Sequence, residues 1–361
     1  MLRDIFSGMS TLIGMTVGAG ILGLPYVINK AGFIPGIILM IVLGTISIIV
    51  NLCIAEVVLR TKGKHQLIGL AEKYLGKKGK LIFGVFSILA LYGTLVAYIL
   101  GAGDSLKAIF GGSSFFFSLL FWFIFSCVIF GSIKILEDVE DIFSSLKMLL
   151  LFIISVIAIF HFKKLELSFD LKNILYPYGV ILFAFSGIWA VPEMALEMKN
   201  KKNLKKAIIY GGFIVLLFSI LFVFSLLSSL TEINEVGTTG LGLLGNIFAL
   251  FAFATAFVAI GYSLKDSYSL DYKLNKNLSW LFVIIVPLII VLLQFSSFIK
   301  VLEFTGGILG GLILILSILL FLKAKKNGDR KPEFDLKLGY FCYLIIILLI
   351  IGILTSLYYS F

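Results

Sequence analysis

The stretch from residue 5 to residue 29 carries no charged side chain and is long enough to cross a lipid bilayer as a helix. Four glycines interrupt it, at Gly14, Gly18, Gly20 and Gly23. An unpaired backbone group is costly in hydrocarbon, so an interrupted helix persists there only inside protein or beside a polar cavity. The stretch therefore predicts a broken membrane helix whose opened backbone groups bind a ligand.

A similar pattern returns in the apolar run that opens the second half of the chain. Glycine, isoleucine and proline recur at a constant spacing of 167 residues, as Gly20, Ile21 and Pro25 and again as Gly187, Ile188 and Pro192. Chance competes as an explanation in a chain with 35 glycines, so the argument also depends on the topology. Two interrupted segments at corresponding positions indicate the binding site of a transporter.

Composition excludes a soluble globular protein. Hydrophobic residues make up 60% of the 361 positions and charged residues 14%, which leaves too little polar surface for a chain in water. The net charge of +10 does not indicate nucleic acid, because lysine and arginine fall in short clusters between apolar segments. The three cysteines lie in apolar runs and predict neither a disulfide framework nor a zinc site. The first run has no signal-peptide cleavage site, so we expect it in the mature protein.

Eleven apolar segments have the length that a membrane-spanning helix needs. We number them as spans one to eleven: 5–29, 33–59, 81–103, 115–133, 142–162, 173–198, 207–230, 240–264, 278–299, 301–322 and 338–361. With the N-terminus in the cytoplasm, 23 lysines and arginines lie inside and six outside. This asymmetry predicts that orientation and puts the C-terminus outside the cell.

The order of the spans predicts an inverted repeat. Spans six to ten follow the order of spans one to five with the membrane direction reversed, because five is odd. We expect one transmembrane domain over 1–361, with repeat one at about 5–162, repeat two at about 173–322 and an extra helix at 338–361. Such a repeat brings broken spans one and six together near the midplane. Residues 66–75 predict a short helix at the cytoplasmic interface.

Five stretches resemble the amino acid-polyamine-organocation superfamily, with the amino acid/auxin permeases and the bacterial hydroxy- and aromatic amino acid permeases as the most similar branches. They are 18–25 in span one, 98–104 in span three, 183–187 with Pro192, Glu193, Met194, Lys199 and Asn200 in and after span six, 255–261 in span eight, and Gly306 with Gly307 in span ten. The resemblance covers most of the chain. It implies an all-α integral membrane protein with the leucine-transporter fold of five plus five helices, here with one more.

The resemblance also implies a substrate site built from backbone. The amides of Ala19 and Gly20, beside Gly18, would hold a carboxylate, since a helix N-terminus favours an anion. Carbonyls at the second break would meet the ammonium group. Candidate residues there and along the side-chain pocket are Phe183, Ala184, Phe185, Gly187, Trp189 and Tyr92. The competing interpretation is that the glycines only let helices pack closely and the aromatic rings only fill space.

Acidic side chains are scarce near the breaks, which favours a neutral amino acid as substrate. A cationic side chain would need a carboxylate partner in the membrane. Glu56 lies at the cytoplasmic end of span two, and Asp104 and Glu303 lie near the outer face. Glu193 lies within span six, where a gate or an ion pair competes with a proton carrier as its role.

The coupling ion is left open between sodium and a proton. The sodium-coupled relatives place Na⁺ between first-helix carbonyls, matching Gly14 and Val17, and an eighth-helix set matching Ala252 and Thr255. Ala256 then stands where those relatives have a second hydroxyl, and a hard cation binds less well without it. In some proton-coupled relatives a span-five lysine replaces the ion, and Lys147 matches it. A lysine that extends to the headgroups is the alternative for Lys147.

These features predict a proton-coupled secondary active transporter of a neutral L-amino acid, with aromatic or branched side chains as candidates, that works by alternating access in a prokaryotic cytoplasmic membrane. The alternatives are a sodium-coupled symporter and a sensor on the same scaffold, although no added signalling region is evident. An ion channel would need a continuous polar stripe, which the spans lack. No nucleophile with a base, metal-ligand cluster or phosphate loop indicates an enzyme or a cofactor. The lipid bilayer is the expected partner besides the substrate, and oligomeric state is not indicated.

Overall fold

The structure is a computed structural model that describes residues 2–63, 65–131, 140–170, 172–271, 273–294 and 297–360. Secondary structure over these ranges is helical, and no strand occurs in them. The helices follow the apolar segments because a chain in lipid must satisfy each backbone group within its own segment. The expectation of an all-α membrane protein is therefore confirmed.

The described part of the first half of the chain contains six helices. Their bounds are α1 Leu2–Thr16, α2 Ala19–Ala31, α3 Phe33–Arg60, α4 Leu67–Phe110, α5 Ser114–Phe130 and α6 Glu140–Phe160. The second half adds α7 Tyr178–Ala184, α8 Ala190–Glu197, α9 Leu204–Ser229, α10 Gly242–Asp266, α11 Lys276–Leu292, α12 Phe298–Glu303, a π-helical segment Phe304–Gly310, α13 Gly311–Asn327 and α14 Phe341–Ser360.

These helices correspond to the eleven predicted spans. Within the described ranges, six helical stretches are long and apolar enough to cross a membrane by themselves, and the bent pair formed by α1 and α2 makes a seventh. Three shorter apolar helices, α5, α6 and α11, occupy the positions of spans four, five and nine. Span six is divided between α7 and α8. The two predicted breaks, in spans one and six, are both present.

A short helix precedes span three, as predicted. It begins at Leu67 and continues into the rest of α4 across Gly76, whose φ of 74° is not helical. A positive φ suits glycine because no side chain opposes it. The kink therefore separates residues 67–75 from the membrane-crossing part of α4.

One face of the bundle gathers the loops that carry most of the basic residues, and we call it the basic face. Asp4 accepts a hydrogen bond from the Lys199 amide at 2.8 Å, and Arg60 forms an ion pair with Asp335. Lys205 lies 5.9 Å from the ring centre of Phe334. These contacts join the N-terminus to the loops after α3, α8 and α13, and all of these had been assigned to the same side of the membrane.

Backbone contacts join the loops at the opposite face. The Asp170 amide donates to the Ala31 carbonyl at 3.3 Å, and the Lys163 amide donates to the Ser228 carbonyl at 2.8 Å. The chain thus alternates between the two faces as a multi-pass membrane protein. Exposed apolar side chains such as Phe116 and Leu354 cover the outside of the bundle, as expected where it meets lipid.

A buried acid anchors the loop between α13 and α14 to α3. Glu56 is fully buried, accepts a hydrogen bond from Arg60 at 2.8 Å and accepts another from the Leu336 amide at 2.6 Å. Lys325 lies 3.7 Å from the same carboxylate. These partners satisfy a charge that would be costly to bury alone. The role of Glu56 in the structure is to hold the basic face together.

Candidate functional site

The first break separates α1 from α2 at Val17 and Gly18, and the two helix axes are bent by 59°. The amides of Ala19 and Gly20 lie in the first turn of α2, where an α-helix leaves its N–H groups without intrahelical partners. The last carbonyls of α1 likewise have no intrahelical donors. The break thus presents backbone donors on one side and acceptors on the other.

The second break runs from Phe185 to Trp189, between α7 and α8. The Ser186 amide donates to the Phe183 carbonyl at 3.3 Å, and the Gly187 amide donates to the Phe185 carbonyl at 2.9 Å. The Ala184 carbonyl takes no part in these hydrogen bonds. Because the C-terminal end of a helix carries partial negative charge, the Ala184 carbonyl is among those that could meet a cation.

The two breaks touch each other at Gly20. A Cβ atom on Gly20 would lie 2.5 Å from the Ala184 Cα atom and 2.8 Å from the Phe183 ring, closer than packed atoms come. On the other side of α7, a Cβ atom on Gly306 would lie 2.7 Å from the Phe183 nitrogen. The structure therefore brings together Ala19, Gly20, Phe183 and Ala184, which the sequence assigned to one substrate site.

Tyr98 of α4 contributes a hydroxyl group at the first break. Its side chain is 5% exposed, and its oxygen lies 3.1 Å from the position that a Cβ on Gly18 would take. The Tyr98 ring packs against Phe253 of α10. The sequence analysis noted the stretch 98–104 but did not select this residue. A hydroxyl group inside an apolar run was the available signal.

A small cavity of about 10 Å³ lies beside Phe185, between the first break, α3 and α9. Its polar lining comes from Thr16, Ser47 and Asn51. A volume of about 10 to 15 Å³ holds a single water. The cavity is far smaller than the roughly 300 Å³ or more of an ordinary ligand pocket. In this conformation the cavity has no room for an amino acid, which would enter it only if the surrounding helices separated.

Lys147 reaches the end of α1 from α6. Its side chain is 4% exposed, and Nζ donates a hydrogen bond to the Gly14 carbonyl at 3.1 Å. A positive charge at a helix C-terminus is favoured by the dipole of the helix. The structure thus brings together Lys147 and Gly14, two of the residues selected for ion coupling.

Two of the other candidate ion ligands form hydrogen bonds within their own helices. Thr255 donates its hydroxyl hydrogen within α10, with the Phe251 and Ala252 carbonyls at 2.9 and 3.2 Å. The Val17 amide donates to the Ile13 carbonyl at 2.8 Å. No contact between Thr255 and the first break occurs among the hydrogen bonds of the described residues.

Comparison with known proteins identifies the family of the chain. The model of the tryptophan/tyrosine permease family matches residues 1–240 and 225–357. The chain belongs to the tryptophan/tyrosine permease family. It is an amino acid transporter and not an enzyme, which confirms the prediction at that level.

Relatives of this permease cover nearly its whole length. Glutamine transporter 2 of Aliivibrio fischeri is 24% identical, over 92% of this chain and 92% of the relative. Tyrosine-specific transport system 1 of Haemophilus influenzae is 26% identical, over 96% and 94%. These values place the permease among amino acid transporters.

Solved structures establish the fold. MhsT in complex with L-phenylalanine superposes with a TM-score of 0.67 over 98% of both chains, at 16% identity. The Eremococcus coleocola manganese transporter, in complex with an aromatic bis-isothiourea substituted compound, gives 0.67 over 98% of this chain and 86% of that one, at 12% identity. Both are transporters of the leucine-transporter fold, so the predicted fold is confirmed.

Two aromatic residues chosen for the pocket have other contacts in the permease. The Tyr92 hydroxyl is hydrogen-bonded to the Tyr268 hydroxyl at 2.8 Å and to the Phe282 carbonyl at 3.1 Å. The Trp189 ring packs edge-on against Phe83 of α4. Gly187 differs from them, because a Cβ there would lie 2.8 Å from the Thr16 hydroxyl oxygen. Gly187 therefore belongs to the contact between the two breaks.

Polar contacts at the basic face tie span one to span six. The Thr11 hydroxyl donates to Glu197 at 2.8 Å, and Asp4 accepts from the Asn203 side chain at 3.0 Å and from the Lys199 amide. The Asn203 hydrogen bond, with the backbone bonds of Lys199 and Asn200, holds the pKa of Asp4 below its usual value. The site is thus closed toward the basic face by contacts between the two broken spans.

The opposite end of the site is covered by a loop. A Cβ on Gly237, in the turn before α10, would lie 2.9 Å from the Pro25 ring and 3.0 Å from the Leu22 carbonyl oxygen. This close approach needs a residue without a side chain. The loop therefore packs on α2 at the face away from the basic loops.

Proposed function

We propose that this permease is a proton-coupled secondary transporter that carries a neutral L-amino acid across a prokaryotic cytoplasmic membrane by alternating access. The hydrogen bond between Lys147 and the Gly14 carbonyl carries the proposal. It attaches a buried titratable group to the backbone break where substrate is expected. Proton binding and substrate binding then act on the same helix end.

The substrate backbone is read by the two breaks together. Its carboxylate meets the Ala19 and Gly20 amides, where the N-terminus of α2 favours an anion. Its ammonium group meets the Ala184 carbonyl at the end of α7. The contact between Gly20 and Ala184 supports this arrangement, since one amino acid spans the distance between its own charged ends. The Tyr98 hydroxyl beside Gly18 adds a donor for the carboxylate.

The side chain of the substrate is uncharged in this proposal. Phe183 and Phe185 lie at the second break and offer apolar surface. The relatives compared above are named for glutamine and tyrosine, which are both neutral amino acids. The phenyl rings favour aromatic or branched side chains, because aromatic surface packs well against another ring.

Coupling acts through the charge on Lys147. When Nζ carries its proton, it satisfies the Gly14 carbonyl and places a positive charge at the end of α1. When the proton leaves, that charge is lost and the end of α1 is freed to change partners. Two arrangements with different proton affinity shift in population as the proton binds. The proton gradient then drives the cycle.

The basic face is the cytoplasmic face in this proposal. The N-terminus and the loops after α3, α8 and α13 meet there and carry most of the lysines and arginines. Cytoplasmic loops are enriched in these residues. The C-terminal end of α14 then faces the outside.

Uptake of labelled tyrosine, phenylalanine, leucine and glutamine into proteoliposomes tests the function. We expect accumulation driven by a pH gradient, acid outside, in sodium-free buffer. Lys147→Ala should lose accumulation but retain exchange of substrate. Lys265→Ala is the matched control, because Lys265 also donates to a carbonyl at a helix end, that of Ile129 at 2.8 Å.

Sodium dependence is the result that contradicts this proposal. If wild-type uptake required sodium and Lys147→Ala behaved like wild type, the proton mechanism would be wrong. A sodium site at Gly14, Val17, Ala252 and Thr255 would then replace it. In that case Thr255→Ala, rather than Lys147→Ala, would abolish accumulation.

A further inference from the structure

Glu303, the last residue of α12, is a buried carboxyl group outside the site described above. Its side chain is 4% exposed. The hydroxyl group of Ser356 in α14 donates a hydrogen bond to Oε1 at 3.0 Å, and Ser356 is fully buried. Oε2 is buried and has no hydrogen bond of ordinary geometry, although the backbone of Gly179 in α7 lies close enough to donate weakly to the carboxyl group. A buried polar oxygen left in this way needs a physical reason.

Three elements close tightly around this carboxyl group. A Cβ on Gly179 of α7 would lie 2.5 Å from the Glu303 carbonyl oxygen and 3.0 Å from its Cδ atom. A Cβ on Gly307 would lie 2.1 Å from the Ser356 hydroxyl oxygen. Glycines at these positions let α7, the π-helical segment and α14 approach closely. The carboxyl group is therefore enclosed by these three elements.

The ionisable groups around Glu303 do not neutralise it. On the elements packed against α12 and the π-helical segment they include Tyr26 and Lys30 of α2, Tyr98, Asp104 and Lys107 of α4, Tyr176 and Tyr178 at the start of α7, Tyr358 and Tyr359 of α14, and Glu235 before α10, with Lys300 exposed on α12 itself. Tyr178 donates to the Leu349 carbonyl, Tyr359 donates to the Lys172 carbonyl, and Glu235 accepts from the Ile299 amide. No cationic side chain of the described residues lies within 4 Å of Glu303.

We propose that Glu303 is a second proton-binding group of the transporter, protonated while α7 and α14 are packed as described here and deprotonated when they separate. An ionised carboxylate without a counter-charge is costly to bury, whereas the neutral acid is not. In the neutral form the acid proton is on Oε2, and the Ser356 hydroxyl donates to Oε1, which is then an uncharged carbonyl oxygen. On separation, the O–H bond breaks, water takes the proton, and the carboxylate becomes hydrated.

The position of Glu303 connects this proton to the substrate site. The π-helical segment starts at the next residue, and a Cβ on Gly306 would lie 2.1 Å from the Gly179 carbonyl oxygen. Single π-helical turns often mark functional sites. Because α7 also contacts Gly20, a change in packing at Glu303 moves one wall of the second break. Through Ser356, the extra helix α14 thereby acts on the transport cycle.

A groove lies on the surface next to this region. It has a volume of about 420 Å³ and lies between α14 and the turn before α7, at the face away from the basic loops. Thr355, the neighbour of Ser356, lines it together with Tyr359. Separation of α7 from α14 would therefore open Glu303 to the side of the membrane opposite the basic face.

The pH dependence of substrate exchange tests the inference, which rests on the proposed proton coupling. Counterflow of labelled tyrosine needs no ion gradient, and its rate can be measured at equal pH on both sides. We expect wild type to slow at low pH, where Glu303 keeps its proton. Glu303→Gln mimics the neutral acid and should be slow at every pH, with substrate binding retained. Asp104→Asn is the matched control, because Asp104 also accepts a hydrogen bond from a serine hydroxyl group, that of Ser114.

Infrared spectroscopy of the purified protein in lipid gives a second measurement. The wild type should show a protonated carboxylic acid band that Glu303→Gln lacks and that Ser356→Ala shifts, since Ser356 forms its hydrogen bond. A wild-type pH profile retained in Glu303→Gln, or no band lost in that variant, would overturn the inference. Neither result depends on accumulation, so sodium-driven uptake would refute the proposed coupling through Lys147 separately.

Discussion

Gly20 sets the distance between the two broken spans. With hydrogen in place of a side chain, its backbone approaches that of Ala184 closely enough that even a methyl group would clash. Gly18 faces Tyr98 and Gly187 faces Thr16 in the same way. The site is therefore defined largely by where side chains are missing, and this leaves the backbone groups available to a ligand.

Gly20→Ala should weaken substrate binding. The added methyl group would force α2 away from α7, and overpacking of this kind costs about 1 to 3 kcal/mol, so we expect roughly a tenfold or larger loss of affinity. Isothermal titration calorimetry with tyrosine measures the affinity of the purified variant. Gly69→Ala is the control, because a Cβ there meets only the His65 side chain at an ordinary 3.5 Å. Equal affinity in both variants, with normal thermal unfolding, would move the site elsewhere.

Single residues were predicted from the sequence to different degrees. The glycines were recognised because a helix breaker inside lipid has few explanations. Tyr98 was missed, because an aromatic residue in an apolar run is usually packing and the sequence does not say which way it points. Tyr92 was selected for the same chemical features, yet its hydroxyl contacts Tyr268 and Phe282. The direction in which a side chain points depends on helix packing, and the residues next to it in the sequence do not determine that packing.

At the scale of helices, the contacts at the basic face hold α1 against α8. Thr11 donates to Glu197, and Asp4 binds the amides that follow α8. Since the pKa of Asp4 lies below its usual value, its carboxylate stays ionised above that value. Stability from this contact is present above the unfolded pKa of about 3.8 and is lost as the pH falls through the lower folded value. Asp4 therefore does not produce a pH effect near neutrality.

Glu197→Gln should favour opening at the basic face. The variant weakens a hydrogen bond to a charged group that is partly exposed, an effect of about 1 kcal/mol, which shifts the balance between two arrangements roughly fivefold. Labelling of a cysteine placed at Ser47, in the small cavity, should become faster from that face. Glu333→Gln, which disturbs the ion pair with Arg330 in a loop, should leave the labelling rate unchanged. Unchanged labelling in Glu197→Gln would show that this contact does not hold the site closed.

Breaks and bends of the helices were only partly foreseeable. Glycine and proline predicted the breaks in spans one and six, whereas the kink at Gly76 was not predicted and only the short helix before it was. The π-helical segment 304–310 was not predicted, although Gly306 and Gly307 stood out. Extra residues in a helical turn are stabilised by contacts with α7 and α14, so their signal lies in tertiary packing rather than in local composition.

In the whole molecule, the loops lie at two faces, the basic face and the opposite face, and the closed site lies between them. The contacts of the loops support the assignment of the basic face to one side, while its orientation in the cell is still a prediction. The repeat boundaries at about 5–162 and 173–322 also stay predictions. The lengths of the apolar segments predicted nearly every helix, because lipid requires each segment to satisfy its own backbone hydrogen bonds.

Cysteine labelling tests the orientation. A cysteine at Lys202, in the loop after α8, should react with a membrane-impermeant reagent only after the cells are opened. A cysteine at Lys164, in the loop after α6, should react in intact cells. Cys127 is exposed and should first be replaced by serine, whereas Cys53 and Cys342 are buried. The reverse pattern would contradict both the orientation and the direction of transport.

The central claim is that the two breaks read both charged ends of an amino acid through backbone groups. Competition in a tyrosine counterflow assay tests it most directly, with L-tyrosine, tyramine and 3-(4-hydroxyphenyl)propionate as unlabelled competitors. Tyramine lacks the carboxylate that Ala19 and Gly20 would bind, and the propionate lacks the ammonium group that the Ala184 carbonyl would bind. The account predicts that L-tyrosine competes and that both analogues fail at the same concentration. Equal competition by either analogue would contradict it.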